Sequence, residues 1–108
     1  MTEKMLGKIK DLKLGAGGYD NAMFGFTFYL SGDGFNVTDF WGTWSQWDDH
    51  CKWSIDDQNA LFLKGFLKVK KILQDARADS LVRLIGKPIE VELKDNILRS
   101  WRILTEVL

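Results

Sequence analysis

Residues 22–44, AMFGFTFYLSGDGFNVTDFWGTW, decide the fold because they are typical of two antiparallel strands joined by a tight turn. From Ala22 to Leu30 aromatic residues alternate with smaller or polar ones, which is the period of a strand. The glycine-rich Ser31–Gly34 permits positive φ angles and predicts the turn. Phe35 to Trp44 is then the return strand. One of its faces carries Phe35, Val37, Asp39 and Trp41.

One strand precedes this hairpin, and a helix and a second hairpin follow it. Met5 to Leu14 has one apolar face and predicts a first strand, which the glycine run 15–18 is expected to break. Ser54 can cap a helix that continues to about Arg77. Residues 88–93 and 97–104 predict two further strands around an Asp-Asn turn.

The predicted fold class is therefore α+β. An antiparallel β-sheet, in β-β-β-α-β-β order, has one long helix packed on one face, and residues 1–108 form a single domain.

Apolar residues recurring at helical spacing predict which face of the helix meets the sheet. They are Phe62, Phe66, Val69, Leu73 and Ala76. If so, Phe66→Ala should lower the free energy of unfolding by about 3–5 kcal/mol, the usual effect of a large-to-small substitution in the core. The charged residues Lys64, Lys68, Lys71 and Asp75 are expected on the opposite side of the helix.

Charge and composition disfavour several classes of function. The chain has 15 basic and 15 acidic residues, whereas proteins that bind nucleic-acid phosphates are usually basic. Cys51 is the single cysteine, which fits a reducing cytoplasm. The first ten residues lack the apolar segment of a signal peptide, and no apolar run approaches ~18 residues. We expect a protein of the host-cell cytoplasm with no membrane span.

No pattern of catalytic or metal-binding residues is evident. Residues 48–51, Asp-Asp-His-Cys, are adjacent, whereas metal ligands are usually spaced along the chain. Glu90 and Glu92 are better explained by cross-strand ion pairs with Arg99 and Arg102 than as paired catalytic carboxylates. We therefore expect no metal, no cofactor and no enzymatic activity.

The aromatic residues suggest a binding surface instead. Ten of the 14 lie between Phe24 and Trp53. Trp41, Trp44 and Trp47 are three residues apart, a spacing that one strand face cannot hold, so at least one should be exposed.

A candidate binding site combines the glycine-rich loop with the nearby tryptophans. The glycines give a ligand access to the backbone, and flat rings and polar groups are the mix expected of a small-ligand site. The alternative is that the aromatic rings only close one end of the core. The candidate site residues are Tyr19, Asp20, Asn21, Trp44 and Trp47.

Two stretches of the chain resemble a group of small, uncharacterised phage and prophage proteins. One runs from Gly17-Gly18-Tyr19-Asp20 through Phe40-Trp41-Gly42-Thr43-Trp44, and the other comprises residues 86–91 and 98–108. The resemblance implies a viral or prophage setting. It brings no established activity, so it assigns a role to no residue.

The leading hypothesis is a non-enzymatic phage-type binding protein that counteracts host defence. Its target would be a host protein or a small nucleotide-like ligand. One alternative is a single-stranded nucleic-acid binder, in which sheet aromatics stack on bases and the lysines of residues 64–71 attract phosphates. Another is an assembly protein that forms homo-oligomers through its tryptophans.

Overall fold

The computed structural model describes residues 2–17, 23–44 and 55–107, with side chains described for 2–17, 23–42 and 56–107. Its helices and strands are β1 (Thr2–Gly17), β2 (Met23–Gly32), β3 (Phe35–Trp44), α1 (Ile55–Ala76), β4 (Pro88–Lys94) and β5 (Ile97–Ile103), with short 3-10 turns at Leu81–Leu84 and Thr105–Val107. The predicted fold class is confirmed.

The five strands form one antiparallel sheet in the order β3-β2-β1-β4-β5. The long strand β1 pairs with β4 over Thr2–Lys8 and with β2 over Gly7–Gly17, with a bulge between Ile9 and Asp11. The prediction that the glycine run ends this strand is wrong, because residues 15–17 stay paired with residues 23–25 of β2. Partner strands satisfy the backbone there, so the low strand propensity of glycine does not decide the outcome.

Glycines let the backbones of β2 and β3 approach each other closely. Gly25 of β2 pairs with Gly42 of β3. A Cβ on Gly25 would lie 2.6 Å from the Cα of Gly42, and one on Gly42 would lie 2.8 Å from the Cα of Gly25. The Phe40 ring covers Gly42 and Gly17, so part of the aromatic content fills space above glycines.

The hydrophobic core lies between α1 and the concave face of the sheet. The sheet contributes Ile9, Phe26, Phe28, Leu30, Ile89, Val91, Leu93 and Ile103. Leu84 joins them from the first 3-10 turn. The turn between β4 and β5 has positive φ at Asp95 (53°) and Asn96 (63°), as a tight two-residue hairpin requires.

The helix meets the sheet through a face that matches the prediction only in part, because Val69 and Ala76 are buried and Leu73 packs against the core as predicted, whereas Phe66 is exposed. Its buried residues are Gly65, Val69, Ile72 and Ala76, at i, i+4, i+7 and i+11. Phe66, predicted to be core, is 56% exposed and makes a T-shaped contact with Phe26, with 5.3 Å between ring centroids.

Gly65 explains this rotation of the helix. A Cβ at Gly65 would lie 3.5 Å from the carbonyl oxygen of Trp41, so the helix packs directly on the backbone of β3. This close approach turns Phe66 toward one flank of the helix. Lys68, predicted on the side opposite the core, instead lies on the other flank, with its Nζ 5.3 Å from the centre of the Trp41 ring.

Candidate functional site

The predicted loop site lies mostly outside the described residues. Tyr19, Asp20, Asn21 and Trp47 belong to the undescribed segments, and the side chain of Trp44 is not described. The backbone of Trp44 pairs with Met23, and Met23 pairs with Gly17. The Met23 end of the glycine-rich loop therefore meets the end of β3, and the Gly17 end lies one strand further along the sheet. The binding role of the five residues stays a prediction.

The described residues form a different site, centred on the carboxylate of Asp39. Its Oδ2 accepts hydrogen bonds from the indole Nε1 atoms of Trp41 and Trp101, each at 2.8 Å. Asp39 and Trp41 share the concave face of β3, as their alternation predicts, whereas Trp101 comes from β5 at the far edge of the sheet. One carboxylate therefore links the two edge strands.

These hydrogen bonds require a strongly curled sheet. In a flat sheet four strand spacings of ~4.8 Å would separate β3 from β5 by about 19 Å. The Trp41 and Trp101 rings are instead stacked, with centroids 5.6 Å apart and planes 12° apart. The buried ring of Phe28 supports both, at 4.6 Å from Trp41 and 5.3 Å from Trp101. The two indoles are thus fixed before any ligand arrives.

A groove of about 340 Å³ opens above the two indoles, between α1, β3 and β5. We call it the indole groove. It is lined by Asp39, Trp41, Lys68, Lys71, Ile72, Asp75, Arg99, Ser100, Trp101 and Arg102. Its volume lies at the lower end of the range of small-molecule sites, about 300–1,000 Å³. The groove therefore suits a ligand of one or two rings.

The cations of the indole groove differ in what they already contact. Lys71 forms an ion pair with Asp75 at 3.1 Å. Across the described ranges no carboxylate lies within 4.0 Å of the charged groups of Lys68 or Arg99. The face of Trp41 is the described contact of Lys68. Lys68 and Arg99 are therefore the two groove cations best placed to receive an anion.

Arg102 lies at the rim of the groove and is held by two acids. Its Nη atoms bind both carboxylate oxygens of Glu106, at 2.8 and 2.9 Å, and its Nε binds Glu90 at 3.2 Å. These hydrogen bonds raise the pKa of Arg102 above its usual range, Glu106 contributing most. The hydrogen bond from Arg102 lowers the pKa of Glu106 to about 2. The predicted cross-strand pair of Glu90 with Arg102 is confirmed, whereas Glu92 accepts a hydrogen bond from Ser100.

A second concavity lies on the convex face of the sheet. It has a similar volume of about 340 Å³ and is lined by Lys10, Asp11, Lys13, Tyr29 and Asn36. It has one aromatic ring and lacks a stacked pair. The indole groove is the stronger candidate because it combines a fixed apolar surface with cations.

Sequence reasoning missed the indole groove because its two tryptophans are 60 positions apart in the chain. One local signal was available, since Asp39 alternates with Val37 and Trp41 on an otherwise apolar strand face. A carboxylate on the core-facing side of a strand needs hydrogen-bond donors within the fold. The sequence does not show that one of those donors is Trp101.

Comparison with protein-family models, with curated proteins and with solved structures finds no match for this chain. Within residues 2–17, 23–44 and 55–107 there is no group of three or more His, Cys, Asp or Glu placed to hold a metal ion. In that same part of the chain no helix is long and apolar enough to cross a membrane. Function is therefore inferred from the indole groove itself.

Proposed function

We propose that this protein is a non-enzymatic binding protein that holds a small nucleotide-like ligand in the indole groove. The observation that carries the proposal is the stacked pair Trp41–Trp101 beside Lys68 and Arg99. A flat apolar surface next to cations matches a ligand that has a planar ring and a phosphate.

The tryptophans supply the surface for the ring. Both are partly exposed, and their orientation is fixed by Asp39 on one side and Phe28 beneath. A ring stacked on a rigid indole loses little side-chain entropy on the protein side, and stacking of a base on an aromatic residue contributes about 1–3 kcal/mol.

The cations supply the contact for the phosphate. Arg99 can bind two phosphate oxygens at once through its planar guanidinium group, and Lys68 can move from the face of Trp41 as a point charge. Lys71 and Arg102 add positive potential at the rim, although both are ion-paired. An uncharged nucleoside should therefore bind more weakly than its phosphate.

The same geometry weakens the alternative of a single-stranded nucleic-acid binder. That hypothesis uses sheet aromatics as the stacking surface, but Phe26 and Phe28 are buried beneath the helix. In the part of the chain that the structure describes, the stacked pair of partly exposed rings beside lysines lies in the short indole groove. A ligand of one or two nucleotides fits this site better than an extended strand.

The phage or prophage setting rests on the sequence resemblance alone. In that setting, holding a nucleotide-like signal would deprive a host defence system of its activator. A host protein as the target is the other form of this proposal, and it would contact the same exposed indoles. Both forms place the protein in the host-cell cytoplasm.

Titration calorimetry with three probes tests the ligand chemistry. The probes are adenosine monophosphate, adenosine without its phosphate and ribose 5-phosphate without its base. We expect the complete nucleotide to bind most tightly, and a matching cyclic dinucleotide extends the series to two rings. Arg99→Ala and Lys68→Ala should each weaken nucleotide binding about tenfold, since one charge-assisted contact contributes about 1.5 kcal/mol.

Lys94→Ala is the matched control, because Lys94 is an exposed cation of β4 that does not line the groove. It should leave the affinity unchanged. The proposal fails if none of the nucleotides binds, or if Lys94→Ala weakens binding as much as Lys68→Ala does. Affinity that rises steadily with oligonucleotide length would favour the nucleic-acid alternative instead.

A further inference from the structure

The carboxylate of Asp39 has one oxygen that the indoles use and one that they do not. Oδ2 accepts both indole N–H groups, each at 2.8 Å, so these donors occupy its two lone pairs. In the part of the chain that the structure describes, no donor bonds to Oδ1 and no cation lies within 4.0 Å of the carboxylate. Because Asp39 lines the indole groove, Oδ1 is an acceptor for a ligand that enters it.

A ligand that covers this carboxylate has to donate a hydrogen bond to it. A ring that fills the groove removes water from Oδ1, and a carboxylate with neither water nor a donor is strongly destabilised. The carboxylate also repels phosphate, so the phosphate is placed toward Lys68 and Arg99 and the edge of the ring toward Asp39. The groove therefore favours a ring whose edge carries N–H donors.

The stacked indoles bring the edge of such a ring to the carboxylate. The centroids of Trp41 and Trp101 are 5.6 Å apart, whereas a ring inserted between them would need about 7 Å, twice the usual contact distance of about 3.5 Å. The ligand ring therefore stacks on the outer face of one indole. Both indoles direct their N–H edges at Asp39, so a ring stacked over either edge meets the same carboxylate.

Guanine presents two adjacent donors on its Watson–Crick edge, namely N1–H and the 2-amino group. Adenine and cytosine present one amino group beside a ring-nitrogen acceptor, and uracil presents one N–H between two carbonyl groups. An acceptor that faces the carboxylate would leave both groups unsatisfied. We propose that Asp39 determines base specificity in the indole groove and selects guanine through hydrogen bonds from this edge to Oδ1. The inference rests on the proposed function.

Titration calorimetry of the unmodified chain with four mononucleotides tests the base preference. The probes are the monophosphates of guanosine, inosine, 1-methylguanosine and adenosine. Inosine lacks the 2-amino group and 1-methylguanosine lacks N1–H, so each should bind about tenfold more weakly than guanosine, the effect of losing one hydrogen bond to a charged group. Adenosine monophosphate should also bind more weakly. This series needs no variant, so it decides the base preference by itself.

Asp39→Asn tests whether Asp39 reads the base. The two indole donors should hold the amide oxygen, so the amide nitrogen, which is a donor, takes the place of Oδ1. The ratio of the guanosine to the inosine affinity should then fall from about ten to about one. A groove that is only loosened would bind both nucleotides more weakly and keep the ratio. Circular dichroism should confirm that the variant is folded.

Asp75→Asn is the matched control, because it removes the same charge from another carboxylate of the groove, one that is paired with Lys71. It should change the affinities for guanosine and inosine monophosphates by the same factor, so their ratio should stay near ten.

Three outcomes would overturn the proposal. Equal affinities for guanosine and inosine monophosphates in the unmodified chain would reject base reading while leaving nucleotide binding intact. A ratio that stays near ten in folded Asp39→Asn would show that another group reads the base. Failure of all four nucleotides to bind would reject the proposed function, and this inference with it.

Discussion

Replacing Asp39 with alanine should remove the link between the two edges of the sheet. In the native protein Oδ2 of Asp39 accepts hydrogen bonds at 2.8 Å from the indoles of Trp41 and Trp101. After the substitution both indole N–H groups keep their positions beside Phe28 but lose their acceptor. The stacked indoles would then be held by packing alone.

The expected loss of stability follows from these two hydrogen bonds. A hydrogen bond to a charged group contributes about 1.5–3 kcal/mol, and the lower value applies because both tryptophans are partly exposed. Asp39→Ala should therefore cost about 3 kcal/mol. Asp39→Asn, whose neutral oxygen can still accept, should cost about half as much. Trp101→Phe keeps a ring and removes one donor, so it should cost about 1.5 kcal/mol in hydrogen bonding.

Urea denaturation measures these differences. With an m-value of roughly 1.5 kcal/mol/M, Asp39→Ala should lower the midpoint by about 2 M. The double variant with Trp101→Phe should cost little more than Asp39→Ala alone, which gives a coupling of about 1.5 kcal/mol. Two results would refute the proposed link. One is a loss of unfolding free energy below about 0.5 kcal/mol for Asp39→Ala. The other is a double variant whose loss equals the sum of the losses for Asp39→Ala and Trp101→Phe.

Two further predictions concern the core and the C-terminal ion pair. Phe28→Ala should lower the free energy of unfolding by about 3–5 kcal/mol, because Phe28 is fully buried. Phe66→Ala should lower it by only about 1–2 kcal/mol, because Phe66 is 56% exposed. The reverse order in denaturant melts would mean that Phe66 belongs to the core, as the sequence predicted. The pKa of Glu106 is lowered from 4.5 to about 2, so its pairing with Arg102 stabilises the fold above pH 4.5, and this contribution is lost as the pH falls toward 2. NMR titration of the Glu106 carboxyl should show a midpoint near 2 that returns toward 4.5 in Arg102→Ala; a midpoint unchanged by that substitution would exclude the ion pair as the cause.

Most of the secondary structure could be predicted because the decisive patterns are local. Phe35 to Trp44 was predicted as a strand and is one, with the predicted assignment of its two faces. The Asp95–Asn96 turn and the helix up to Ala76 follow in the same way from residue types at fixed spacing. The error in β1 arose because glycine is a poor strand residue in isolation, whereas here β2 supplies its pairing partners.

The sequence by itself therefore determined the order of strands and helix, the two-fold alternation along each strand and the class of fold. Tertiary structure decided which face of the helix meets the sheet. Gly65 adds no apolar side chain to the helical pattern, yet its lack of a side chain lets α1 pack on the backbone of β3. Tertiary structure also decided the indole groove. Asp39 and Trp101 are 62 residues apart, and only the curl of a five-stranded sheet brings the edge strands together. The sheet has register shifts between Ile9 and Asp11 and between Glu92 and Leu93, and close contacts between glycines of β2 and β3. Such features generally bend sheets, and they are properties of paired strands that no single stretch of sequence contains.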